Sequence, residues 1–282
     1  MSWLRTLFLM AVMTLLLMVV GAVVAGREGA IGALVIAGVM NFVAYWFSDK
    51  MVLARYKAQE VGPEDATGLY GMVHELANEA RLPMPRVYLI PSETPNAFAT
   101  GRNPAHAAVA ATQGILRLLD RRELKGVMAH ELSHVRHRDI LTQSVAAPLA
   151  GAIGYLPFGA RLRAMFGGRR SEEGGSGALL LLVAILGPLA AMLIQMAISR
   201  TREFGADEGA AGITHDPEAL AAALVKISNG VAQRPMGEEA ATTAHLFIVN
   251  PLHGGGLTKL FSTHPPVEER VARLRGMAGR AR

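Results

Sequence analysis

Three residues in one short stretch carry the strongest chemical signal in the chain. Residues 130–134 read His130-Glu131-Leu132-Ser133-His134, an H-E-x-x-H pattern inside a segment of helical character. On a helix, residues four apart share a face, so both imidazoles reach one point. Two histidines at that spacing suit a tetrahedral Zn²⁺. Glu131 directly follows the first ligand, where it takes a proton from water rather than binding the metal. The alternative is a charged helix with two surface histidines. A helix start lies ten residues upstream, where Asp120 is followed three residues on by Glu123, a capping box with Asp in the Ser/Thr place.

A zinc site on H-E-x-x-H needs a third protein ligand. The candidate is Glu203, in the run Arg200 to Asp207. Asp207 lies four residues on, on the same helical face, and is placed to accept the other N–H of His130. The competing reading pairs Glu203 with Arg200 at the surface. His137 is a rival ligand because it extends the row of His130 and His134. The metzincin arrangement, however, needs Gly where His137 stands and His where Ile140 stands. His264, in Ser262-Thr263-His264-Pro265-Pro266, sits before a last amphipathic helix carrying Val267, Val271 and Leu274. There it either serves the structure or donates to an oxyanion during carbonyl attack.

The elements that position these residues are set among apolar blocks. The chain has 282 residues, of which 51% are hydrophobic and 18% charged, an unusual balance for a soluble domain of this length. The apolar residues form four blocks, as in an integral membrane protein. Leu7 to Ala25 is uncharged for about 19 residues, enough to cross a bilayer core. Ala30 to Phe47 follows after the turn Gly26-Arg27-Glu28-Gly29. A cleaved signal peptide is the rival reading, but the first run is long for one and a second follows at once. The pair reads as a helical hairpin. Arg5, Lys50, Arg55 and Lys57 flank its ends against Arg27 alone in its turn, which puts both ends in the cytoplasm. The third block, Ile140 to Ala160, holds Gln143, Pro148 and Pro157 and reads equally as a kinked span or a re-entrant segment. The fourth, Ala178 to Ser199, completes a second hairpin. The Lys/Arg counts on its two sides tie, so the first hairpin sets the orientation.

Between the hairpins the pattern is that of a soluble domain. Asp65 to Arg81 reads as an amphipathic helix, with Leu69, Met72, Val73 and Leu76 on one side. Arg86 to Ile90 and Ala107 to Thr112 read as short strands. Asn96, Ala97, Phe98 and Ala99 begin a stretch that either pairs with an extended peptide by strand addition or forms an ordinary core hairpin. Gly101-Arg102-Asn103-Pro104 reads as its turn. Asp216-Pro217-Glu218 is a helix start, and residues 232–245 read as a loop. The helix from Asp120 to about Asp139 runs into the third block, and the fourth block into the helix of Glu203. If both are continuous, His134 and Glu203 stand roughly 9 and 6 Å above the apolar blocks at ~1.5 Å per residue.

Composition excludes several classes. The chain has no cysteine, so it has neither thiolate metal ligands nor disulfides. The net charge of +5 carries no basic run interleaved with aromatics, so nucleic acid is not an expected partner. A transporter is disfavoured because no acidic or basic residue lies inside any block. A metal-binding membrane chaperone or scaffold without peptidase activity remains as the alternative.

The ordered set Asn96 to Gly101, His130 to His134, Arg200 to Asp207 and Ser262 to Pro266 resembles the HtpX-type integral-membrane zinc metallopeptidases, kin of the CAAX prenyl protease group. The likeness covers essentially the whole chain, apolar blocks included. It implies a mainly α fold with a small β-sheet, a zincin-like (gluzincin) domain combined with transmembrane helices. Four parts are expected: a hairpin over 1–57, the first part of the catalytic domain over 58–139, an inserted second hairpin over 140–198, and the second part of the domain over 199–282. It further implies one Zn²⁺ per chain held by His130, His134 and Glu203, with Glu131 as catalytic base. It strengthens the strand-addition reading of Asn96 to Ala99 and the oxyanion reading of His264. The implied activity is endoproteolysis of misfolded or damaged membrane proteins under stress. The enzyme would sit in a bacterial cytoplasmic membrane with its domain facing the cytoplasm. Its implied partners are membrane proteins, unfolded polypeptides and the lipid bilayer.

Overall fold

The computed structural model describes residues 2–142, 144, 200–233, 247–248 and 265–280. His264, the loop over 234–245, the fourth apolar block and most of the third lie outside the described residues.

Helix α1 (Ser2–Arg55) is broken at Ala25 (φ −143°, ψ 27°) and Gly26 (φ 60°, ψ −144°). Gly26 has no Cβ to oppose a positive φ, so the chain reverses there. The two arms are joined by Asn41 Nδ2, which donates to Thr14 Oγ1 at 2.9 Å. From the break, Ala25–Arg55 is 31 residues long and contains an 18-residue stretch with a mean hydropathy of 1.9. That is long and apolar enough to cross a bilayer. Leu15, Val35, Ile36, Val39 and Phe42 stay exposed on this hairpin. An apolar surface of this extent is stable only against lipid or another apolar face.

Strands β1 (Gln59–Val61), β2 (Arg86–Ile90), β3 (Ala97–Gly101) and β4 (Ala107–Thr112) form one sheet in the order β1-β2-β4-β3. The β2–β4 pair is parallel and the other two are antiparallel, so β3 lies at an edge. Strand β4 is buried along its whole length, as its run of Ala, Val and Thr requires for cover on both faces. On one face Val87, Ala97, Ala99 and Val109 join the main core with α2 (Leu69–Glu79) and α4 (Arg121–Arg136). On the other, Tyr88, Ile90, Phe98, Ala108 and Ala110 pack on Val52 and Leu53 at the end of α1. Asp49 of the same helix accepts from Arg86 at 2.8 Å. The sheet is therefore held between the hairpin and the helix that bears H-E-x-x-H.

Two helix boundaries differ from the sequence pattern. Helix α2 starts at Leu69 rather than Asp65. The Asp65 carboxylate instead accepts from the N–H groups of Thr67 and Tyr70, making a turn ahead of the helix. Helix α4 does not run on into the third apolar block. It ends at Arg136, with His137 as C-cap and Arg138 left-handed at φ 59°. The N–H of Arg138 bonds Val135 O and that of Asp139 bonds His134 O, the two bonds of a Schellman turn. Helical geometry resumes at Ile140. The height of His134 above the apolar block therefore cannot be taken from a continuous helix.

The remaining described helices are α3 (Gln113–Leu118), α5 (Arg200–Thr214), α6 (Pro217–Gln233) and α7 (Val267–Arg280). Asp216 caps α6 as its Asp-Pro-Glu start predicts, accepting from Ala219 N–H. Its carboxylate also binds Arg122 at 2.7 Å, which ties the starts of α4 and α6 together.

Candidate metal centre and active site

The site is assembled by two helices. Helix α4 is fixed at its start by the expected capping box. Asp120 accepts from Glu123 N–H at 2.9 Å, and Glu123 accepts from Asp120 N–H at 3.0 Å. Val127, Met128, Leu132 and Val135 bury its apolar side completely. Helix α5 lies against it at close range. A Cβ on Gly209 would stand 2.5 Å from Ser133 Oγ, so only glycine admits this approach. The contact brings Glu203 over the two histidines.

His130, His134 and Glu203 are all buried, and one ligand atom from each lies within 4.8 Å of the others. The two Nε2 atoms are 3.2 Å apart. Glu203 Oε2 is 3.7 Å from His130 Nε2, and its Oε1 is 3.6 Å from His134 Nε2. Ligand atoms on a tetrahedron with bonds of ~2.0–2.2 Å stand roughly 3.3–3.6 Å apart. His130 Nδ1 is 2.9 Å from Asp207 Oδ1, which fixes the Nδ1–H tautomer and turns the Nε2 lone pair toward the centre. At 3.2 Å the two Nε2 atoms are within hydrogen-bond distance of each other in the metal-free protein, and with Glu203 they converge on one point that a cation can fill. The surroundings agree: the buried carboxylates of Glu131, Glu203, Asp207 and Asp139 gather around this point beside the buried Arg270 guanidinium. A divalent metal fits this donor set.

Arg270 is the residue that sequence reasoning missed. It is fully buried and grips Asp207 with two bonds, Nε to Oδ2 at 2.9 Å and Nη2 to Oδ1 at 2.7 Å. Its Nη1 donates to Ile248 O at 3.0 Å. The signal was its place on the last helix, inside the apolar stripe of Val267, Val271 and Leu274 rather than outside it. Asp139 was also missed. The Schellman turn aims it back at the site, with Oδ2 3.6 Å from His134 Nδ1. His137 is exposed at the end of α4 and is not part of the cluster.

Glu131 is 5% exposed. Burial pushes its carboxyl up, against the opposing pull of His130, His134 and the nearby backbone of Ala99. For Asp207 burial also acts upward. The Arg270 guanidinium and the hydrogen bonds from His130 and Arg270 outweigh it and hold Asp207 below the usual carboxylate range. Burial disfavours a charged His130, yet its bonds to Asp207 and Glu203 prevail and raise it to about 9 in the metal-free protein.

The four residues expected at a substrate edge are brought to the site, with divided roles. Ala97 and Ala99 lie on the edge strand and face the α4 side of the sheet. The Phe98 side chain points to the other face, with its ring 5.7 Å from that of Tyr56. Asn96 is buried, and its Oδ1 accepts from Ile248 N–H at 3.2 Å. The Asn96 side chain thus serves the protein's own packing, and Ala97–Ala99 lie on an edge strand that is buried along its length.

Comparison with known proteins gives the family. The model of peptidase family M48 matches residues 63–278. A protease HtpX homolog from Syntrophotalea carbinolica is 56% identical over 281 residues, covering 98% of this chain and 99% of that one. Another from Ralstonia pickettii is 57% identical over 280 residues, covering 98% and 97%. A crystal structure of S. mikatae Ste24p is similar at a TM-score of 0.49 and 16% identity, over 85% of this chain and 57% of that one. The chain belongs to peptidase family M48 and is a membrane-bound metallopeptidase acting on polypeptides.

Proposed function

We propose that this chain is a zinc endopeptidase of a bacterial cytoplasmic membrane that cuts misfolded or damaged membrane proteins from the cytoplasmic side. The observation that carries the reading is the convergence of three buried ligand atoms within 4.8 Å, with Glu131 beside them. His130, His134 and Glu203 would hold one Zn²⁺ per chain. When bound, zinc supplies a Lewis acid that acidifies a water and polarises the scissile carbonyl. Glu131 takes the proton of the attacking water and passes it to the leaving amine. A carboxyl whose ionisation burial opposes suits both halves of that exchange. Asp207 keeps His130 in one tautomer, and Arg270 keeps Asp207 in place. His264 would donate to the oxyanion.

A substrate would lie extended along the outer edge of β3, pairing with the Ala97–Ala99 backbone after Asn96. The domain layout follows: a membrane hairpin over 1–57, a catalytic domain over 58–139 and 199–282, and a second hairpin over 140–198 inserted between them. Arg5, Lys50, Arg55 and Lys57 at the ends of α1 support a cytoplasmic domain. Lipid is the partner of the exposed apolar face of α1, and unfolded chains and membrane proteins are the substrates. The test is purification of the full chain in detergent, with zinc analysis and casein digestion of wild type and Glu131→Gln. The expected result is equal zinc in both and cleavage in wild type alone. Near-normal cleavage by the variant would remove Glu131 from the mechanism.

A further inference from the structure

The outer edge of β3 carries a regular set of backbone groups. Asn96 O accepts from Thr112 N–H across the β3–β4 pair. With the period of two, Phe98 and Thr100 then turn their backbone groups to β4, and Ala97, Ala99 and Gly101 turn theirs outward. A side-chain contact agrees: the Gly101 N–H donates to Ser144 Oγ at 3.2 Å. Ser144 Oγ is also 2.7 Å from Thr100 Oγ1, and both side chains are completely buried. Ser144 belongs to the start of the third apolar segment, whose Thr142 Oγ1 is 2.8 Å from Thr6 Oγ1 of α1.

We propose that Ser144 is a specificity-determining positioning residue: its hydroxyl occupies the Gly101 N–H and closes the substrate edge there, so that a bound peptide pairs with Ala97 and Ala99 only. The proposal rests on the strand-addition reading above. A buried N–H left without an acceptor is destabilising, so the edge at Gly101 is satisfied from within the protein rather than left for a substrate. Gly101 lies two residues, about 7 Å, beyond Ala99 along β3. Backbone recognition at the Gly101 end of the strand then stops at Ala99, set by a residue of the segment that follows α4 rather than by one of the metal site.

The test is an amide-to-ester scan of a fluorogenic decapeptide built on a casein bond that the metal-loaded, full-length enzyme cleaves. Each ester removes one backbone donor and weakens one acceptor. In wild type, kcat/KM should fall about fivefold or more at the positions pairing with Ala97 and Ala99, and stay unchanged at the next one beyond Ala99. In Ser144→Ala that third position should become sensitive, with KM for the all-amide peptide lowered several-fold and kcat unchanged. Ser144→Thr, which keeps the hydroxyl, should keep the two-position pattern. A merely structural Ser144 would lower kcat/KM in the alanine variant without adding a sensitive position. A third sensitive position in wild type would overturn the capping role and leave strand addition standing, and this arm needs no variant to fold. No sensitive position anywhere would overturn strand addition itself, and the capping role with it.

Discussion

Helix α4 carries two buried glutamates, Glu123 and Glu131, exposed by 4% and 5%. Glu123 is surrounded by groups that match its charge. It accepts from the Asp120 N–H at 3.0 Å and from Lys226 Nζ at 2.7 Å. Glu131 is surrounded by groups that compete for a proton. It sits beside two imidazoles and Glu203, and burial pushes its carboxyl up. The same residue type, on the same helix and equally buried, is structural at one end and, in the proposed mechanism, chemical at the other. What separates the two is the match between the carboxylate and its neighbours, not the degree of burial.

The sharpest way to break this contrast is to make both glutamates neutral. Glu131→Gln should lower casein cleavage by roughly a thousandfold or more, while Glu123→Gln should leave it near wild type when assayed below its unfolding temperature. Equal losses of turnover would erase the distinction. The next effect in size belongs to the support of the site. Asp207→Asn removes the acceptor that fixes His130 and should weaken metal binding by about 10–100-fold in a chelator competition. An unchanged affinity would show that the His130–Asp207 contact does not tune the site.

Stability should rank the two glutamates the other way. Glu123→Gln breaks the Lys226 pair and weakens the reciprocal cap, and should cost about 1–2 kcal/mol in denaturant unfolding. For Glu131 the folded carboxyl lies above its unfolded value, so its ionisation opposes folding at neutral pH. The metal-free Glu131→Gln variant should therefore melt slightly above metal-free wild type at pH 7. The gain should shrink as pH falls through the folded value and vanish below the unfolded one, near 4.3. A variant less stable than wild type at pH 7 would mean that Glu131 also holds the fold.

These residues differ in how readily the sequence discloses them. Asp120, Glu123, His130 and His134 were legible because each relation is local, a cap or an i, i+4 pair on one helix, whereas Glu203 and Asp207 were reached through the need for a third ligand and through the family resemblance. Strand β1 was not, because Gln59–Val61 has no pattern of its own and exists through its pairing with β2. The end of α4 was hidden because Arg138 occupies the left-handed position that usually belongs to glycine. The Asn96–Ile248 and Arg270–Asp207 bonds join residues 152 and 63 positions apart, where no periodicity points. Charged side chains on a terminal helix are usually solvated, and Arg270 departs from that rule only because three carboxylates wait for it in the core. The small sheet was legible for β2 and β4, whose apolar runs are strong, and for β3 through the turn that follows it.

The central claim is that α4 and α5 together hold one metal, with Glu203 as the ligand from α5. Its most direct test is elemental analysis of the detergent-purified full chain as wild type, Glu203→Ala and His137→Ala. Circular dichroism would confirm that each variant is folded. Wild type and His137→Ala should each carry one zinc per chain, and folded Glu203→Ala should lose it. Stoichiometric zinc in Glu203→Ala, with loss in His137→Ala, would contradict the assignment.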